Sequence, residues 1–379
     1  MKNIFITERD HFKWSKQKEY ISHLETIDDN VKTKAVKALD FLEQELGAKF
    51  LKATSSNHPV RQMISNKASY QIKDLIEFTE ALQILKKEGN NYRRLIEKLI
   101  SKNDAQIEGI SLVNLSRIFI KEGLIISFID EIKNTKTPDV KITNPINNDT
   151  FYVEITKLND SDYQKEIKDN YNFFHKQFND IQPLFSFYGK QFQTIDKEEY
   201  SEISEIIADT KKRVKENNQI IYYSDSRFNF LLAPPSHDKV FNEICERNNI
   251  RSIHFDGLPI DVDETSRINN KIDKAYQIPE NENGLLFISI SPIYFFTTDL
   301  FAAIERLEAN IARHKNLLGI VLFSKIVAPT EEKSIEMGNH LFTIRTIENL
   351  CYMSLFVYNN NCDVFISDKT IKKIYKSLT

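Results

Sequence analysis

Two acidic residues in β-rich sequence are the strongest candidates for chemistry in this chain. In the stretch TPDVKITNPINNDTFYVEITKLND, Asp139 opens one run of strand-forming residues and Glu154 lies inside the next. Alternate residues of an extended strand share a face, so Phe151, Val153 and Ile155 point into a core while Tyr152, Glu154 and Thr156 point the other way. The turn NPINND between the two runs lets the carboxylates approach each other. Paired carboxylates at the lip of a sheet make a hard, oxygen-rich site of the kind magnesium or manganese takes, with phosphate oxygens and waters completing the shell. A cation there would lower the pKa of a bound water and steady the charge building on a scissile phosphate. Without one, the two carboxylates repel and one tends to take up a proton.

The order P-D, hairpin, then hydrophobic-E-x-T/K resembles the core of the PD-(D/E)XK nuclease superfamily over residues 105–160. That resemblance implies a restriction-endonuclease-like α/β fold, a mixed sheet flanked by helices, and a metal-dependent phosphodiesterase that cuts nucleic acid, DNA before RNA. It also implies a third acid from the preceding helix, and the matching position is Glu108 in QIEGISLVNLSRIFIKEG. Glu108 lies on the stripe of Leu112, Leu115 and Phe119, the face that should pack against the sheet; an acid in the first turn of a helix also suits the helix dipole without any catalytic role. Glu108, Asp139 and Glu154 are thus the expected metal ligands.

The family pattern carries E-x-K, whereas here Thr156 stands two residues after Glu154 and Lys157 follows it. Lys157 points to the opposite face of a regular strand, so Lys141, which shares a face with Asp139, is the better substitute for the catalytic lysine. Lys141 or Thr156 would contact the reacting group, and a lysine there would stabilise the transition-state anion or orient the attacking water. Further along, Lys271, Lys274 and Gln277 fall on one side of the helical run RINNKIDKAYQI. A helix bearing Lys and Gln before a buried strand resembles the element beside the active site in many such nucleases, which makes Lys274 and Gln277 candidate phosphate contacts. The competing readings are ordinary ones: solvent-facing strand lysines, a turn aspartate, and an amphipathic helix with a solvated basic face.

These residues need elements to hold them. VKTKAVKALDFLEQEL places Val31, Ala35, Leu39, Leu42 and Leu46 at helical spacing, and YQIKDLIEFTEALQILKK and GNNYRRLIEKLISKND continue the pattern, with a loop at Asn57, His58 and Pro59. Residues 1–104 therefore read as an all-α region and 105–379 as the nuclease-like domain. In the latter, a helix feeds three short strands, LIISFI, DVKIT and TFYVEIT. Charged helical sequence follows, with IIYYSDSRFNFLLA as further strands. LLFISIS and LLGIVLFSKIV then read as buried strands alternating with helices, an α/β arrangement. NLCYMSLFVYNNNCDVFIS suggests a closing hairpin around Asn359 to Asn361 before a terminal helix.

Composition narrows the alternatives. Hydrophobic residues at 41% against 28% charged exclude a disordered chain. MKNIFITERDHFKW turns charged too early for a signal peptide, and no apolar run is long enough for a membrane span. With three cysteines in no metal-binding spacing, a cytoplasmic protein is expected. Eight histidines lack paired spacing and nine glycines form no phosphate loop, which disfavours a histidine zinc site and an ATPase. The acidic loop at Asp256, Asp261, Asp263 and Glu264 lacks calcium-loop spacing.

The net charge of -3 does not announce a nucleic-acid binder, although a local basic cleft would suffice. The leading expectation is a cytoplasmic metal-dependent endonuclease using Mg2+ or Mn2+. The resemblance extends to restriction and anti-phage defence enzymes, with a homo-oligomer or a defence-system protein as partner. The rivals are an inactive nuclease-fold module for nucleic-acid binding or assembly, and an interaction scaffold built on residues 1–104.

Overall fold

Apolar residues at helical spacing form the elements expected of them in the first part of the chain. The computed structural model describes residues 12–55, 58–101, 105–129, 137–259, 263–328, 330–364 and 366–378. Asn57, residues 134–136 of the NTKTP turn, Asp261 and the first eleven residues lie outside the described residues. Before the first strand come α1 (Trp14–Ser22), α2 (Asp29–Leu46), α3 (Phe50–Ala53), α4 (Pro59–Ser65), α5 (Ser69–Leu85), α6 (Asn90–Ile100) and α7 (Ala105–Lys121). Asp28 caps α2 by accepting the Val31 amide at 2.9 Å, and Ala35, Leu39, Leu42 and Leu46 form its buried stripe.

The expected meander follows as β1 (Ile125–Phe128), β2 (Val140–Thr143) and β3 (Thr150–Lys157), all antiparallel. The register sets Val140 opposite Val153 and Lys141 opposite Tyr152.

The chain then leaves this body. Asn159–Asp263 form a compact unit of their own. It contains α8 (Asp162–His175), β4 (Ser186–Gln191), α9 (Tyr200–Asn217), β5 (Ile221–Ser224), β6 (Phe228–Ala233), α10 (Asp238–Arg247) and β7 (His254–Asp256). Its sheet runs β5-β6-β4-β7 over a core that includes Phe174, Phe178, Phe187, Phe228 and Phe230. Only β5 and β6 were legible as strands; β4, interrupted by Gly189 and Lys190, and the three-residue β7 gave too little alternation.

The first unit resumes with α11 (Glu264–Ile272), a 3₁₀ turn (Asp273–Gln277), β8 (Gly284–Ser289), α12 (Ile293–Thr297), α13 (Leu300–Ile311) and β9 (Leu317–Val327). It ends with β10 (Lys333–Met337), β11 (His340–Ile347), β12 (Leu350–Tyr358) and α14 (Asp368–Leu378). Its eight-stranded mixed sheet has the order β1-β2-β3-β8-β9-β12-β11-β10, with β3, β8 and β9 parallel. One face carries the apolar residues of α1 to α7 and α14, and the other packs against α11 and α13. Helices on both faces of a mixed sheet make this an α/β architecture.

Two expectations need correcting. The expected boundary between residues 104 and 105 does not divide the chain into compact units: the helical region belongs with the sheet in one unit, Met1–Leu158 with Glu264–Thr379. The reason is a buried polar knot. Asp74 of α5 bonds Arg117 of α7, Lys325 of β9 and the Tyr352 hydroxyl of β12. The closing hairpin is also displaced. β11 turns into β12 at Glu348, whose φ of 54° lies in the left-handed region. Asn359 is instead buried, its amide donating to the carbonyls of Ile311, His314 and Leu317 at 3.1, 2.9 and 2.8 Å.

Candidate active site

Asp139 stands one residue before β2, where the ladder with β3 has ended, and its side chain takes over the ladder's next bond. Oδ2 accepts the backbone amide of Ile155 at 2.8 Å. This bond fixes the carboxylate and leaves Oδ1 directed away from the strand. On β3, Ile155 joins the apolar core on one face, while Glu154 is buried on the other. The predicted division of faces along β3 therefore holds.

Glu154 is only 4% exposed. Its Oε1 accepts from the Gln277 amide at 2.8 Å, and Oε2 has no hydrogen bond among the described residues. Gln277 gets there because β8 begins at Gly284, beside β3. A Cβ at that position would meet the Ile278 side chain at 2.3 Å, so only glycine lets the end of the 3₁₀ turn lie this close. Lys274 sits one 3₁₀ turn before Gln277, where side chains three apart eclipse, and its charge acts on both Asp139 and Glu154. The two residues singled out on this segment are thus both brought to the acids.

Glu108 occupies the first turn of α7, with its side chain 44% exposed. It borders the buried stripe of Leu112, Leu115 and Phe119 without being buried in it. Between Glu108 and Asp139 lies a residue absent from the expected set: Lys98 of α6. Its Nζ is 3.6 Å from Glu108 Oε2 and 3.8 Å from Asp139 Oδ1. Gly109 makes this placement possible, since a Cβ there would come within 3.2 Å of both the Lys98 Cβ and the Leu99 side chain.

The expected lysines are elsewhere. Lys141 stands across the strand pair with its Nζ 5.8 Å from the Tyr152 ring, and it forms no ion pair with Asp139 among the described residues. The reason is register: Lys141 faces Tyr152 directly, and a cation over an aromatic face on a cross-strand neighbour is favourable. Lys157 is half-buried opposite Ser289 and makes no contact with the acids. Thr156 is buried on the Glu154 face without a hydrogen bond to either acid.

The electrostatics follow from this crowding. Burial pushes the Asp139 carboxyl above the ordinary range, against the pull of Lys98 and the Ile155 amide, and Glu108 adds to the rise. Burial also holds Glu154 well above its ordinary value, Asp139 reinforces this, and Lys274 and Lys98 oppose it. The lysines reduce the repulsion between the two carboxylates but do not cancel it.

No family model matches the chain, and no curated protein matches it. The site is therefore read from its own geometry. Among the described residues, no group of three or more His, Cys, Asp or Glu is close enough to hold an ion. The expected trio does not close as a ligand set here, because the Lys98 ammonium lies between Glu108 and Asp139. The pair Asp139 and Glu154 still fits a hard divalent cation by chemistry. Each fixes one oxygen on a protein donor, Glu154 keeps Oε2 free of hydrogen bonds among the described residues while Asp139 Oδ1 faces Lys98, and their mutual repulsion is what a cation would relieve.

Lys98 could have been found from the sequence by one signal. Gly109 interrupts an otherwise good helical run, which marks a close approach by another element. The preceding helix, with Arg94 and Lys98 one turn apart, was the candidate for that element.

Proposed function

We propose that this chain is a metal-dependent nuclease that hydrolyses phosphodiester bonds of nucleic acid, DNA foremost. The observation that carries this reading is the pairing of Asp139, at the start of β2, with Glu154 of β3, each anchored by one donor, with Lys98 on the second oxygen of Asp139 and Lys274 beside both. An antiparallel meander followed by the parallel strand β8 supports a restriction-endonuclease-like core.

In this reading Asp139 and Glu154 hold magnesium or manganese, with Glu108 at the margin. Once bound, the cation supplies the charge that lowers the pKa of a water and offsets the reacting phosphate. The protein's own groups do the positioning. Gln277 fixes the Glu154 rotamer, the Ile155 amide fixes Asp139, and Lys98 supplies the ammonium that neither Lys141 nor Lys157 brings. A lysine in that place orients the nucleophile or neutralises a non-bridging phosphate oxygen as negative charge develops.

The test pairs cleavage with ion binding. Purified protein with Mn2+ should nick or degrade DNA and take up the ion in calorimetry, and Asp139→Ala and Glu154→Ala should each abolish both. Intact DNA and RNA together with no heat of Mn2+ binding would reject the enzyme. Intact substrates with Mn2+ binding lost in both variants would favour the second reading, an inactive nuclease-fold module. That alternative draws on the absence of a closed three-acid cluster among the described residues.

A further inference from the structure

Beside Asp139 the surface opens into a shallow cleft within the first unit. Its wall is of two kinds. Leu95 of α6, Leu112 of α7 and Phe128 at the end of β1 are apolar, whereas Arg94, Lys98 and Asp139 bring charge. Arg94 is exposed and forms no ion pair among the described residues, unlike its neighbour Arg93, which pairs with Glu97. Lys98 lies one helical turn further along the same side of α6 and faces Asp139 at 3.8 Å. Two cations thus mark a path about one turn long that ends at the candidate acids, with an aromatic ring and aliphatic side chains beside it.

We propose that this cleft receives an unstacked nucleotide of a single strand, its phosphates along Arg94 and Lys98 and its base against Phe128. The inference rests on the nuclease reading and narrows its substrate to single-stranded or frayed nucleic acid. The reason is which surfaces each form exposes. A duplex presents phosphates and groove edges but keeps its base faces stacked, so an apolar and aromatic wall gains nothing from it. A single strand offers base faces, and these stack on aromatic side chains with little regard to sequence. A purely electrostatic role for α6 would need the two cations but not the wall.

The experiment measures binding in EDTA, where no cutting occurs, by fluorescence anisotropy. The probes are a labelled twelve-residue oligothymidylate and an abasic chain of equal length and charge. The oligothymidylate should bind about ten-fold tighter than the abasic chain, and a blunt duplex should compete more weakly than the single strand. Phe128→Ala should bring the ratio near one without abolishing affinity. Arg94→Glu, at an exposed position, should weaken both probes and leave the ratio intact. Equal affinity for the two probes, or a ratio that survives Phe128→Ala in a protein with unchanged circular dichroism, would overturn the proposal. If Phe128→Ala fails to fold, Phe128→Leu, which keeps an apolar side chain in place and removes the ring, carries the same decision. Cleavage is scored separately with Mn2+. A preserved ratio without cleavage would reject the nuclease and leave the cleft assignment standing; cleavage without a ratio would do the reverse.

Discussion

At the scale of single residues, the candidate site turns on which lysine serves the acids. Lys98 lies within 4 Å of both Glu108 and Asp139, whereas Lys141 is engaged with Tyr152. Lys98→Met should therefore lower kcat by about 10²–10³, the typical cost of removing one preorganised charge-stabilising donor, with a smaller effect on KM. Lys141→Met should leave the rate near that of the parent, and the opposite ranking in single-turnover cleavage would remove Lys98 from the site. Glu154 supports a second test, which needs no activity. Its carboxyl is raised in the fold by burial and by Asp139, so its neutral form is favoured there. An acid with a raised folded pKa costs stability as pH climbs above the ordinary carboxylate range, and the cost is absent below it. In EDTA at pH 8, Glu154→Gln should unfold later than the parent, by on the order of 1–3 kcal/mol, because glutamine still accepts from Gln277 while removing the cost of keeping a carboxyl protonated in the fold. The gain should shrink toward pH 4. A variant no more stable than the parent at pH 8 would mean that the pair is not strained in the resting protein.

At the scale of elements, the helices and the sheet are joined by charge as well as by apolar packing. Burial alone would raise the Asp74 carboxyl, but Lys325 and Arg117 outweigh it and hold its pKa at about 2. Because that value is depressed, the contribution is present in full above the ordinary aspartate range, near pH 4, and is lost as pH falls through about 2. Asp74→Ala takes from Lys325 its ion-pair partner and leaves Arg117 with Glu77 alone, and should cost about 3–5 kcal/mol by urea denaturation at pH 7. The difference should narrow in strong acid; a loss below about 1 kcal/mol would place the knot among weak surface pairs. This element pairing is also where sequence reading stopped. The β1 to β3 meander, the faces of β3 and the helix bearing Lys274 and Gln277 were legible, because each rests on local periodicity. The partners of Asp74 lie 43 to 278 residues away, so no local pattern could show that α1 to α6 belong to the same body as the sheet. Lys98 was missed because Gly109 marks a close approach without showing which side chain of the neighbouring helix reaches the acids.

At the scale of the whole molecule, the weakly acidic total hides an uneven distribution. Asn159–Asp263 carry 13 Lys and Arg against 19 Asp and Glu, whereas the remainder carries 38 against 35. The net charge of -3 is thus the sum of a distinctly acidic unit and a mildly basic one, and the candidate site lies in the basic one. The objection that the total charge tells against a nucleic-acid partner loses its force, because phosphate is recognised by a local field. The acidic unit has its own sheet and a phenylalanine-rich core, the conditions for independent folding. Expressed alone, residues 159–263 should give a dispersed amide spectrum and a cooperative thermal transition. The isolated unit should show no affinity for single-stranded DNA at any salt concentration. The intact chain should bind with an affinity that falls linearly in log-log terms as salt rises, as expected when cations displace counterions from phosphate. Salt-dependent binding by the isolated acidic unit would relocate the nucleic-acid surface away from Asp139 and Glu154, and with it the case for placing catalysis at those residues.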